Sequence, residues 1–262
     1  MIRSLFTAAT GMQAQQLNVD VIAHNVANVN TVGFKRSRAD FQDLLYQNIN
    51  MPGAPSGEGV QTPTGIQVGL GVKTAAVQKL FTQGDFINTG NSLDLVIEGD
   101  GFFQVSLPDG NTAYTRAGAF KMDKDGRVVT SNGYPLADNI TIDPAATLVT
   151  VASDGSVSQT VGNSPTPQTL SPIQVAKFVN PGGLLALGKN LFLPTDASGE
   201  ATLGTAGIDG RGTINQGFLE NSNVNIVEEM ANLIIAQRAF DVNSKTVQAS
   251  DEMLQTASNM KR

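Results

Sequence analysis

The sequence predicts an α+β protein: long N- and C-terminal helices packed as a coiled coil, with a mainly antiparallel β domain inserted between them. Three observations carry this. Leu5, Met12, Val19 and Val26 recur every seven residues, with Ala8, Ile22 and Val29 on the row three residues behind. Leu233, Phe240, Val247 and Leu254 keep the same spacing near the other end, where Met230 lies one turn ahead and Ala236 and Ala257 fill a neighbouring row. Heptads mark helices that pack along their lengths. Between them run short apolar segments separated by turn dipeptides, the pattern of an antiparallel meander or barrel.

The first helix is poor in charge. Up to residue 34 only Arg3 and Asp20 are fully charged, with His24 a third candidate, and the polar surface is Gln13, Gln15, Gln16, Asn18, Asn25 and Asn28. A solvated helix usually carries charges opposite its apolar stripe. Amides in their place suit a helix touched by protein on several sides, because an amide costs less to desolvate than a charge. An ordinary two-helix hairpin on a soluble domain would show the same rows. Gly33, after Asn28 and Asn30, is expected to be the left-handed helix stop.

Residues 46–65 hold Pro52, Pro55 and Pro63 with four glycines and are expected to form one long loop. Ile66, Val68, Leu70 and Val72 alternate with polar or small residues, which predicts a single half-buried strand over 66–73. Further strands are expected at 93–98, 102–107, 112–116, 127–130, 148–151 and 173–179. Asp109-Gly110, Asp125-Gly126, Asn132-Gly133 and Asp154-Gly155 mark turns among them. Residues 160–172, with three prolines, read as a surface connection. Asn225 and Glu228 resemble a capping box that opens the last helix, with Glu229 at its positive end and Lys261 and Arg262 at its negative end.

Composition narrows the function. The net charge of −6 leaves no basic run to bind phosphates, so no nucleic acid partner is expected. No stretch approaches the ~20 apolar residues needed to cross a bilayer, and the N-terminus lacks a secretory pattern. Cysteine is absent, which removes disulfides and thiolate chemistry. Gly183 to Asn190 is a near miss to a phosphate loop, with Asn190 where a Ser or Thr would hold magnesium. Asp123-Lys-Asp125-Gly126 starts like a calcium loop, but no Glu stands at the twelfth position to act as the bidentate ligand. His24 is the one histidine, so no histidine pair for a metal exists. No catalytic residue, cofactor, metal or small-molecule substrate is expected.

Four motifs in order point to a family. Asn25-Val-Ala-Asn28-Val-Asn30-Thr31-Val-Gly33-Phe34-Lys35-Arg36 resembles the N-terminal signature of bacterial flagellar rod and hook proteins. Gly90 to Phe103 resembles their central motif, Tyr114 to Phe120 with Asp125-Gly126 the next, and Gln216 to Met260 their C-terminal helix. Within the family the length and the 46–65 segment are closest to the distal-rod type. A proximal rod or hook-type subunit is the alternative.

The resemblance implies terminal helices over 1–32 and 223–262, a linker over 33–70 and an outer β domain over 71–222. It implies self-assembly into a helical tube through Leu5, Met12, Val19, Ile22, Val26, Val29, Met230, Leu233, Phe240, Val247 and Leu254. The family motif residues are Asn25, Asn28, Thr31, Gly33, Phe34 and Lys35, and Tyr46, Pro52, Pro55 and Pro63 fall in a stiffening loop. Implied partners are further copies of the chain, proximal rod and hook subunits at the tube's ends, and surrounding L and P ring proteins. The implied location is the periplasm-spanning rod of the basal body, reached by export without a cleaved signal peptide. A β-domain binding module trimerised by its helices, or an enzyme with an unrecognised site, are the readings from other classes.

Overall fold

The computed structural model describes residues 2–51, 55–57, 60–61, 63–162 and 166–260. The chain forms two compact units: Met1–Val26, Ser37–Gln78 and Asn225–Arg262 make one, Ala27–Arg36 and Lys79–Val224 the other.

The first unit holds α1 (Ile2–Ala27) and α2 (Ile226–Asn259). Asn225 opens α2: its Oδ1 accepts from the backbone N–H of Val227 at 3.0 Å and Glu228 at 3.4 Å. Glu228 and Glu229 follow in the first turn, where carboxylates oppose the positive helix end. Strand Ser37–Asp43 pairs with Val72–Lys79.

Three expectations, two in this unit and one at Gly33 of the second, are corrected. Residues 46–65 are not one long loop, because Tyr46–Asn50 pairs antiparallel with Ile66–Gly69, Tyr46 opposite Gly69. Within that hairpin Pro55–Gly57 pairs with Val60–Gln61. The ladder is possible because Tyr46–Asn50 and Ile66–Gly69 contain no proline, and Pro55 opens its short strand, where a missing N–H is tolerated. The run 66–73 is two strands rather than one. Gly71 breaks it at φ +122, and a Cβ there would collide with Thr10 Oγ1 of α1. Nor is its apolar face half-buried throughout, since Ile66 and Leu70 are exposed. Gly33 is left-handed at φ +69 but does not stop α1, which ends at Ala27. Its N–H donates to Glu220 O at 2.8 Å, and a Cβ would lie 2.6 Å from Ala117 N, so close approach of two backbones selects the glycine.

In the second unit the expected strands are found as Leu95–Glu98, Phe103–Ser106, Thr112–Thr115, Val128–Thr130, Ala146–Val151 and Gln174–Lys177. Gly110, Gly126, Gly133 and Gly155 all adopt positive φ in the expected turns. The strand pairs are antiparallel, but they do not form a sequential meander. Leu95–Glu98 pairs with Thr213–Gln216, Gln174–Lys177 with Thr202–Thr205, and Phe86–Asn88 with Phe218–Glu220. Turn dipeptides specify only neighbours, whereas the first two of these long-range pairs bring Leu95, Ile97, Val175 and Ile214 into one core. Leu95, Ile97, Phe103, Phe120, Ile173 and Ile214 belong to that core, with Phe103 edge-on to Phe120 at 5.2 Å. A second, aromatic cluster joins Phe102, Tyr114, Phe178 and Phe192. Part of 160–172 is strand as well: Gln168–Thr169 pairs with Ser158 and Gln159. The greasy segment before Lys189 is strand Leu185–Gly188.

Candidate assembly elements

The two helices are antiparallel and in matched register. Ser4 Oγ lies 3.2 Å from Ser250 Oγ, a Cβ on Gly11 would lie 2.8 Å from Asn243 Nδ2, and Asn25 Nδ2 donates to Glu229 Oε2 at 3.4 Å. A step of seven or fourteen along α1 is answered by the same step back along α2. Ser4, Gly11 and Asn25 thus fall on one heptad row, Glu229, Asn243 and Ser250 on the other, with buried Ala236 between. The facing rows are small and polar.

Ala236, from a neighbouring row read in the sequence, lies in this seam, and the other apolar rows fall on helix faces that adjoin it. Leu5, Met12, Val19, Val26 and Val29 are half-buried, as are Leu233, Val247 and Leu254, while Ile22 is buried. Phe240 is 38 % exposed and Met230 56 %. Val227 at 78 %, Ile234 at 56 % and Ile235 at 65 % add to them, so the first half of α2 carries uncovered apolar side chains on several sides.

The N-terminal motif residues have distinct tasks. Asn25, 1 % exposed, donates its Nδ2 to Ser37 O and accepts Ser37 N–H on Oδ1, both at 2.8 Å. Thr31 Oγ1 donates to Asn28 Oδ1 at 3.2 Å and Phe34 is buried, with Lys79 Nζ 4.9 Å from its ring centre. Lys35 has no exposed side chain at all. It donates to Glu220 Oε1 and to Thr82 O, both at 2.7 Å. The other carboxylate oxygen takes Arg116 Nε at 2.6 Å, and Arg116 also donates to the carbonyls of Ile97, Gly99 and Gly101. Gly84 N–H completes the carboxylate's partners at 2.9 Å.

Three sequence-distant motifs therefore meet in one buried ion network. Burial pushes the Glu220 carboxyl up, but Arg116 and Lys35 outweigh it and hold the group below the usual carboxylate range. Burial lowers Lys35, with Glu220 opposing. In the sequence Lys35, Arg116 and Glu220 lie in separate motifs that nothing joins. Their one signal was a full charge inside a buried motif.

Of the 46–65 residues, Tyr46 is exposed and flanks Gly69, Pro63 is exposed, Pro55 lies in its short strand, and Pro52 falls outside the described residues.

Three family models match in chain order. "Flagella basal body rod protein" covers residues 5–35, "Flagellar hook protein FlgE/F/G D1 domain" 96–159, and "Flagellar basal body rod FlgEFG protein C-terminal" 215–260. The chain is 48% identical to the flagellar basal-body rod protein FlgG of Borreliella burgdorferi, over 100% of both chains. It is 49% identical to that of Caulobacter vibrioides, over 99% of this chain and 100% of the relative. The chain belongs to the flagellar basal-body rod family. The rod protein FlgG of Bacillus subtilis is 40% identical over the full length of both. The family is structural, and this chain is a rod subunit rather than an enzyme. Among the described residues no helix is long and apolar enough to cross a membrane.

Proposed function

We propose that the chain is the distal rod subunit, whose copies stack into a rigid helical tube that encloses the export channel and transmits torque from motor to hook. The observation that carries this reading is the uncovered apolar surface of α2, with Val227, Met230, Ile234 and Ile235 exposed around a helix already packed along another face. A helix apolar on several sides belongs inside protein, and a heterologous, non-closing contact generates a tube. The heptad rows, from Leu5 and Met12 to Val247 and Leu254, supply the packing between copies, as a coiled-coil layer. The division into terminal helices (1–32, 223–262), linker (33–70) and outer β domain (71–222) belongs to the same proposal.

Proximal rod and hook subunits cap the tube, L and P ring proteins surround it, and the subunit reaches the periplasm by export without signal cleavage. The 46–65 hairpin stiffens the tube by lying against a neighbouring copy.

Sedimentation tests the core of this reading. The purified protein should pellet as fibres at rising concentration, and Ile234→Asp/Ile235→Asp should stay soluble with an unchanged β-domain spectrum. A closed trimer at every concentration would favour the binding-module reading instead.

A further inference from the structure

The chain passes between its two compact units four times, at 26–27, 36–37, 78–79 and 224–225. On the second unit's side one side chain ties three of the connecting segments together. Asn223 Oδ1 accepts Arg36 N–H at 2.8 Å, and its Nδ2 donates to Leu80 O at 2.9 Å and Thr82 O at 3.0 Å. Leu80 N–H also donates to Arg36 O at 2.9 Å, and Lys35, which donates to both Glu220 Oε1 and Thr82 O, binds the same three segments again. On the first unit's side Asn25 plays the matching part. It closes a two-bond pair with Ser37 and reaches Glu229 just inside α2.

Asparagine is suited to this because one planar group both donates and accepts, so it can stand in for a missing backbone strand between segments that do not pair directly. A segment crossing alone would carry load through single-bond rotations. Here Asn223 bonds the 36–37, 78–79 and 224–225 crossings to one another and Asn25 bonds the 26–27, 36–37 and 224–225 crossings, so that all four are linked and deform together.

We infer that Asn25 and Asn223 are positioning residues that make the four crossings share mechanical load. Neither side chain needs to touch a neighbouring copy. This rests on the torque-transmitting reading above and adds where within the subunit the torque is carried. Their loss therefore leaves the assembly contacts in place and lowers the load the rod survives.

The test uses cells whose own copy of this chain is replaced by the Asn25→Ala/Asn223→Ala variant. Filaments per cell are counted at rest and after tethered rotation against high viscous load. The expected result is a near-normal count at rest and a several-fold greater loss of filaments under load than in wild type. Asn223→Asp keeps the acceptor for Arg36 N–H but not the donors, and should fall between the two. Equal filament retention under load in the double variant would overturn the inference. If that variant builds too few filaments at rest, Asn223→Ser alone is put through the same comparison, and retention equal to wild type again overturns it. Normal rotation in cells lacking the chain altogether would instead overturn the torque-transmitting reading itself.

Discussion

Replacing Glu220 with Gln leaves Lys35 and Arg116 buried with no carboxylate between them. Removing one member of a buried ion network costs about 3–5 kcal/mol, because the remaining charge is left uncompensated. The E220Q variant should therefore melt about 10 °C lower than wild type. Lys35→Met should lose less, since Glu220 still holds Arg116 at 2.6 Å. Equal losses in calorimetry would mean that the network is not organised around the carboxylate. The pH dependence follows from the same group. Its folded-state pKa is held below the ordinary value, so its stabilisation is complete above the unfolded pKa of about 4.3 and fades as pH falls through the folded value. Wild-type melting temperature should drop across that acid range, and E220Q should show a shallower drop. None of this network was legible as a network in the sequence. Lys35, Arg116 and Glu220 each sat in a recognisable motif, yet pairing across such separations is fixed by strand order, which turn residues do not encode.

The helices were legible as elements but not in their facing. A seven-residue apolar row says that a helix packs, and says nothing of which row meets its own partner and which is left for another copy. Here Ser4, Gly11 and Asn25 face Ser250, Asn243 and Glu229, while Leu233 and Phe240 flank the seam. A seam of small and polar groups buries little apolar surface to offset the entropy of ordering two long helices. Limited proteolysis of the monomer should therefore trim both termini and leave a core near residues 35–220. Full protection of both helices in a proven monomer would count against this. The seam also predicts an inverted glycine effect. A helix-interior glycine usually costs about 1 kcal/mol relative to a better helix former, but a larger side chain at Gly11 must displace Asn243. Gly11→Leu should raise the concentration needed for assembly, and Gly11→Leu/Asn243→Ala should restore part of it. Leu233→Asp and Phe240→Asp should abolish assembly with the β domain still folded, since each buries an unpaired carboxylate between copies. Normal tubes from either would show that this row meets no neighbour.

The α+β class, the terminal helices and six strands of the β body could be read from period and turn residues, whereas strands such as Phe86–Asn88, Thr202–Thr205 and Thr213–Gln216 could not. The hairpin within 46–65 could not, because its prolines and glycines masked the pairing of Tyr46–Asn50 with Ile66–Gly69. That hairpin sets a prediction for the assembled rod: deleting residues 46–63 should leave tubes that are more curved or more flexible, read as persistence length in micrographs. Equal stiffness would show the hairpin to be passive. If copies of this chain build a tube by themselves, electron microscopy of the purified, concentrated protein will show it. Straight, hollow fibres of constant diameter, whose length grows with concentration, are the expected result. Closed particles of fixed copy number, at every concentration, would contradict it.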